Sequence, residues 1–382
     1  MEYGFTEEFA REMDQQDPLK EMRNEYLFPQ HNGRDVLYFC GNSLGLQPKG
    51  AAASVKQELD DWAEFGVEGH FDAKRPWYAY HEFFADSLAR IVGASPAEVV
   101  AMNGLTTNIH IMMTSFYRPE GSRTKILCEA KAFPSDQSAL DTQARIHGLD
   151  PADVIVEVGP REDEHLVRHE DVLAKIDELG DELALVMMGG VNYYSGQLFD
   201  MQGITSAAHA VGALVCFDLA HAVGNIDLKL HDWDVDVAMW CSYKYLNSGP
   251  GSVAGVFVHE RHANNTDMIR FGGWWGHDKV ERFKMEPEFR PMPTAEGWQL
   301  SNAPVFSMAV HRAALDLFDR TSMAELRTKG EKLTGYFEFV VDQVSEANEG
   351  MSFEIITPRE PEQRGCQISI LAHGAGREPV SY

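Results

Sequence analysis

Apolar residues along this chain fall into short runs separated by longer amphipathic stretches. TKILCE, DVIVEVG, LALVMMGGV, ALVCFDLA, VDVAMWC and SVAGVFV are dense in Val, Ile, Leu and Met, as expected of strands buried on both faces. Between them, Phe133 to His147, Glu170 to Leu179 and Gln202 to Val211 carry apolar side chains at helical spacing. Strands alternating with helices of this length predict βαβ units: an α/β fold whose large domain is a mostly parallel sheet sandwiched by helices. The flanks differ. Before the repeat come acidic, helix-prone segments, a strand-like VLYFC at Val36 to Cys40 and the turn-rich GNSLGLQPKG. After it, a helix-like Phe306 to Val344 leads to the strand candidates MSFEII and CQISIL. The predicted organisation is a large domain over residues 61–305, and a smaller α+β domain built from 306–382 and joined by the N-terminal segment 1–60.

Charge narrows the partners. Lys plus Arg total 33 against 59 Asp plus Glu, a net charge of -26, which repels nucleic acid and anionic membranes. An anionic ligand therefore needs a locally positive pocket. No apolar run approaches the roughly 18 residues of a membrane span, and the opening residues are too charged for a signal peptide, so a cytoplasmic location is expected. Cys40, Cys128, Cys216, Cys241 and Cys366 are widely separated, which suits a reducing compartment and offers neither a disulfide framework nor zinc-ribbon spacing. HERH at His259 to His262 lacks the spacing of the HExxH zinc motif, and GPGSVAG precedes a strand where a dinucleotide loop requires a helix. No metal site is expected.

Two residues carry the chemistry. Asp218 ends the apolar run ALVCFDLA, and Lys244 follows the next run, VDVAMWC, inside WCSYKYLNSGPGS. Alone, Asp218 reads equally as a helix cap and Lys244 as a snorkelling surface residue. As a pair at adjacent strand ends they match the demands of pyridoxal phosphate. That cofactor needs a lysine to hold its aldehyde as a Schiff base and a carboxylate to keep its ring nitrogen protonated. It also needs a phosphate cradle, which GLTTNIH offers with Thr106 and Thr107 at a helix start, and a stacking face, which FPSD offers with Phe133. FGGWWGH, the Asn302 of GWQLSNAP and the His70 of VEGHFDAKRPWY add aromatic and polar candidates, each equally readable as core or interface. Arg364, at the head of RGCQISIL, would grip a carboxylate bidentately if aimed into the cleft.

Taken in order, GLTTNIH, FPSD, DLAHAVGN, WCSYKYLN, GWWGH, LSNAP and RGCQISI resemble the kynureninase family, over about Tyr38 to Gln367. That family belongs to the aspartate aminotransferase-like, fold type I pyridoxal phosphate enzymes. The resemblance implies hydrolysis of L-kynurenine or 3-hydroxy-L-kynurenine to L-alanine and an anthranilate, in tryptophan degradation and NAD biosynthesis. It implies that Lys244 is the Schiff-base lysine, Asp218 the ring-nitrogen partner and Tyr243 a candidate proton donor. It places Leu105, Thr106, Phe133, Pro134, Ser135, Asp136, Gly189, His221 and Tyr243 on the cofactor. The family position matched by Gly189 can carry a serine. Trp274 and Asn302 would complete the phosphate site across the interface of a homodimer, and His70, Asn302 and Arg364 would touch substrate. Family members continue beyond the point matching Tyr382, so the small domain is expected to be incomplete. The rival readings are a class V aminotransferase, a cysteine desulfurase, which needs an exposed low-pKa cysteine, and a cofactor-binding regulator without turnover.

Overall fold

In the computed structural model, which describes residues 3–348 and 350–374, the predicted apolar runs form one seven-stranded sheet. Its strands are β1 (Val99–Met102), β2 (Lys125–Glu129), β3 (Ile155–Val158), β4 (Leu183–Gly189), β5 (Leu214–Asp218), β6 (Val237–Trp240) and β7 (Ala254–Val258). The order across the sheet is β1-β7-β6-β5-β4-β2-β3. Pairing is parallel except for β7, which runs antiparallel to both β6 and β1. The registers that set the site are Met239 opposite Asp218 and Gly189 opposite Asp218.

Alternation along each strand explains why unbroken apolar runs were needed. In β5, Val215 and Phe217 join one hydrophobic cluster, while Cys216 faces the other. In β6, Ala238 and Trp240 face the first cluster, while Val237 and Met239 face the second. Each side is covered by helices, so both faces must be apolar. Helices α1 (Leu105–Phe116) and α2 (Pro134–Ile146) bury Ile109, Met112, Phe116, Ala139 and Leu140 on one side. Helices α3 (His169–Leu179) and α4 (Met201–Ala210) bury Val172, Ile176, Ile204 and Ala208 on the other.

The flanks depart from expectation in three places. VLYFC is no strand: Val36 to Cys40 carry no ladder, and Leu37 and Phe39 point outward, 84% and 79% exposed. Their alternation mimics a strand, but no neighbouring strand supplies the pairing. The helical stretch from Phe306 is two helices, α5 (Val305–Phe318) and α6 (Met323–Glu346). The break comes at Ser322, whose hydroxyl and the Glu325 carboxylate form a reciprocal capping box that starts a new helix. The strand expected at CQISIL begins only at Ile370 and pairs with Met351–Ile355 as an antiparallel ribbon.

The N-terminal segment packs on α6, and the late segment on a loop at the sheet's carboxyl end. Tyr3 and Phe9 pack on Tyr336 of α6, with ring centroids 5.7 and 5.6 Å apart, and Lys329 of α6 pairs with Asp17. The late segment docks on the loop after β4: Leu198 N–H donates to Gln363 O at 2.8 Å, and Thr357 Oγ1 to Ser195 O at 2.6 Å. Among the described residues no helix is long and apolar enough to cross a membrane.

Candidate active site

The carboxyl ends of β2, β4, β5 and β6 deliver Glu129, Gly189, Asp218 and the turn holding Lys244 to one place. This is the crevice where open α/β sheets bind ligands. Asp218 Oδ1 accepts the Ala220 N–H at 2.7 Å, which holds the carboxyl at the start of the turn after β5. That turn brings His221 round so that its Nε2 lies 2.8 Å from Lys244 Nζ. Lys244 Nζ in turn sits 5.8 Å from the centroid of the Phe133 ring.

Acidity is concentrated here with little to balance it. Glu129, Asp136 and Asp218 are all buried, at 5%, 7% and 8% exposure. Burial, then the charge of Asp218 and a hydrogen bond with it, holds the Asp136 carboxyl well above the ordinary carboxylate range. Burial likewise raises Asp218, although the Ala220 N–H, Asp136 and the charge of Lys244 each pull it down. Burial raises Glu129 against the opposing hydrogen bond from Asn192, whose Nδ2 donates to Oε2 at 2.7 Å. Two buried carboxyls in contact cannot both ionise cheaply, so this end of the sheet favours an added cation. A protonated pyridine nitrogen is such a cation.

The remaining features suit a flat, phosphorylated ring. α1 starts at Leu105 after Gly104, which provides no side-chain cap; the first helical amide to reach back is that of Asn108, to Gly104 O. The amides of Leu105, Thr106 and Thr107 are thus the unpaired donors of a helix start, and Thr106 is exposed beside them. Phe133 ends the approach to α2 with its ring 49% exposed and Tyr193 edge-on at 5.3 Å. Pro134 opens α2, and Ser135 Oγ donates to Asp136 Oδ1 at 3.2 Å. A Cβ on Gly189 would lie 2.7 Å from Glu129 Oε1, so glycine here leaves room for that acid. Burial pushes the Tyr243 hydroxyl up to about 12.

Lys244, His221, Asp218, Asp136, Gly189, Phe133 and Tyr243 are therefore brought to one crevice. Three expected contacts are not made within the chain. Trp274 is 48% exposed and packs on Trp275 and Phe283, Asn302 is exposed, and His70 bonds through Nδ1 to Val67 O at 2.9 Å. None of these joins the crevice through a hydrogen bond among the described residues. Arg364 requires a correction. It is 1% exposed, and its guanidinium binds Glu338 at 2.5 and 3.0 Å and the carbonyls of Pro358 and Arg359. It is an internal ion pair tying α6 to the late segment, not a free cleft cation.

Sequence reasoning missed three contributors. Glu129 ends β2 just as Asp218 ends β5, the same signal of an acid closing an apolar run. Gly45, in the GNSLG bend, donates its N–H to Tyr243 O at 2.8 Å, and a Cβ there would lie 2.4 Å from Lys244 O. The N-terminal segment is thus pressed onto the lysine turn. Gln367, from the late segment, donates to the carbonyl of Tyr193, whose ring meets Phe133.

The chain matches the model of the aminotransferase class-V family over residues 38–372. It is 53% identical over 382 residues to a kynureninase of Christiangramia forsetii, covering 100% of this chain and 90% of that protein. It is 54% identical over 377 residues to a kynureninase of Flavobacterium psychrophilum, covering 99% and 88%. Among solved structures, it resembles the cystine C–S lyase C-DES in complex with cysteine persulfide, at TM-score 0.70 and 17% identity, over 85% of this chain and 82% of that one. The apo cysteine desulfurase of Thermococcus onnurineus NA1 also gives TM-score 0.70, at 15% identity over 96% and 82%. At such identity the structural likeness concerns the fold alone.

Proposed function

The chain belongs to the aminotransferase class-V family and, within it, to the kynureninases, and we propose that Lys244, Asp218 and their neighbours perform that family's reaction. The enzyme uses pyridoxal 5′-phosphate to hydrolyse the Cβ–Cγ bond of L-kynurenine or its 3-hydroxy form, giving L-alanine and an anthranilate. The observation that carries the assignment of roles is Lys244 Nζ, 2.8 Å from His221 Nε2, rising beside an excess of buried carboxyls.

Bound at this crevice, the cofactor supplies a ring that draws electrons from the substrate Cα and makes its proton and the Cβ–Cγ bond labile. Lys244 would hold the cofactor's aldehyde, and its amine is placed to carry the proton released at the substrate Cα. Asp218, backed by Asp136, would accept the N–H of the ring nitrogen and keep it protonated. The amides of Leu105 and Thr106 would bind the cofactor's phosphate, and Phe133 would supply the stacking surface. Water adds to the substrate ketone carbon, and Tyr243 donates a proton at Cβ; a hydroxyl pushed up to about 12 stays protonated and able to donate. Trp274 and Asn302 face outward in one chain, which supports a homodimer in which they complete the partner's site, with His70 meeting substrate. A reducing, cytoplasmic location agrees with five free cysteines.

A desulfurase is disfavoured by a specific feature. Although Cys366 keeps exposed surface, packing around its sulfur pushes the thiol up to about 11, where a nucleophile needs the reverse. The test is release of fluorescent anthranilate from kynurenine and from 3-hydroxykynurenine by the purified protein with cofactor. No release from either substrate contradicts the proposal.

A further inference from the structure

We propose that Asn192 is a positioning residue for Phe133: it fixes the turn after β4 to Glu129, so that the late segment, gripping that turn, braces the stacking ring through Tyr193. This rests on the reading of Phe133 as the surface against which the cofactor ring packs. The Asn192 carboxamide has one orientation that satisfies its neighbours. Its Oδ1 accepts the Tyr194 N–H at 3.0 Å, the Ser195 N–H at 2.8 Å and the Ser195 hydroxyl at 3.0 Å. Backbone amides can only donate, so the NH2 group must face the other way, where Nδ2 reaches Glu129 Oε2 at 2.7 Å. One side chain thus closes the turn and ties it to the buried acid that ends β2.

The late segment takes hold of the same turn at three consecutive carbonyls. Gln367 Nε2 donates to Tyr193 O at 2.8 Å, Ser369 Oγ to Tyr194 O at 2.5 Å and Thr357 Oγ1 to Ser195 O at 2.6 Å. These donors are themselves linked: Gln367 Nε2 also donates to Ser369 Oγ at 3.1 Å, and the Ser369 N–H to Thr357 Oγ1 at 2.8 Å. Gly196 lets the two segments meet, since it takes φ +76° and a Cβ there would lie 3.1 Å from Gln367 O. Between the grips stands Tyr193, whose ring meets Phe133 edge-on at 5.3 Å and whose hydroxyl donates to Lys131 O at 3.4 Å. Lys131 and Phe133 lie in the short link between β2 and α2, which begins at Glu129. Asn192 and Tyr193 therefore hold both ends of the link that carries Phe133. Because Phe133 is half-exposed, the Tyr193 edge, rather than an enclosing core, sets the orientation of its ring.

Titration of the cofactor-free protein with pyridoxal 5′-phosphate, read by the absorbance of the bound cofactor, tests this. Asn192→Ser keeps a short acceptor for the turn but cannot reach Glu129, and should weaken binding about tenfold. In a Phe133→Ala background the same change should alter binding by less than about twofold, because Asn192 acts through that ring. Tyr193→Leu leaves the turn's amide and carbonyl bonds in place and should repeat both results. Hydrogen exchange in cofactor-free Asn192→Ser should quicken at residues 193–198 and 357–369 together, while β7 exchanges as in the parent. Unchanged affinity in either variant, equal losses with and without Phe133, or quicker exchange confined to the turn overturns the proposal. Equal losses in the two backgrounds mark a purely structural role. If Phe133→Ala binds cofactor as the parent does, the stacking assignment falls and this one with it; if Phe133→Ala binds weakly while Asn192→Ser binds normally, only this one falls.

Discussion

The two ends of the central sheet both bury acids at strand termini, yet they treat them oppositely. At the amino end, Asp236 before β6 accepts from Val215 N–H, His209 Nε2, His262 Nε2 and Arg261 Nη2, at 2.6 to 2.9 Å. Glu98 before β1 accepts from the amides of Ser95 and Glu260 and pairs with His231. Despite burial, hydrogen bonds from these partners hold both carboxyls below the ordinary range. At the carboxyl end, Asp136 and Asp218 meet each other, Glu129 stands near, and Lys244 is the cation among them; burial wins and the carboxyls are raised. A buried acid is thus no mark of function by itself. Incomplete pairing is: the amino-end acids are fully hydrogen-bonded, while burial outweighs the partners of the carboxyl-end acids.

Changes that break this contrast should rank accordingly. Lys244→Ala should cost more than about a thousandfold in turnover, because the anchor and the proton carrier are lost together; steady-state anthranilate release measures it. Asp218→Asn should lower kcat about a hundredfold while the cofactor-free protein stays as stable or gains about 1 kcal/mol, since a poorly paired buried carboxyl is relieved. Asp236→Asn at the other end should do the reverse. It should cost about 3 kcal/mol in denaturant unfolding, with kcat per folded molecule within about twofold. Unfolding and kinetics on the two variants side by side sharpen the comparison. If both lose stability alike, the ends do not differ as described.

The pH dependence of stability should separate the ends as well. Asp236 and Glu98 are depressed in the folded state, so their contribution is present above the ordinary carboxylate range and is lost as pH falls through their folded values. Asp136 and Asp218 are raised, so the folded state keeps protons that the unfolded chain has released. Their presence lowers stability as pH climbs above that same range. Asp136→Asn should flatten the high-pH loss in the cofactor-free protein and leave the acid loss unchanged. The smallest effect is expected at Gly45, where alanine would press on Lys244 O and the Asn247 side chain. Gly45→Ala should lower kcat about fivefold through a displaced lysine turn.

The sheet was legible because each strand is buried on both faces and so had to be written as an unbroken apolar run. The pairing of Asp218 with Lys244 was legible for a related reason, since residues that close neighbouring parallel strands must meet. Glu129 carried the same signal in KILCE and was passed over because nothing local marks an acid as unpaired. Gly45 and Gln367 act through contacts between segments far apart in the chain, which no local pattern announces. VLYFC alternates like a strand but lacks a partner ladder, and pairing is a property of two segments. Arg364 misled in the other direction: an arginine heading an apolar run looks available until Glu338, a full helix away in sequence, is seen to hold it.

The most direct test of the central claim is borohydride reduction of the cofactor-loaded protein followed by peptide mass mapping. The account predicts that the cofactor mass is fixed on Lys244 alone, and that Lys244→Ala carries none and releases no anthranilate. A label on another lysine, or turnover by the unlabelled variant, would contradict it.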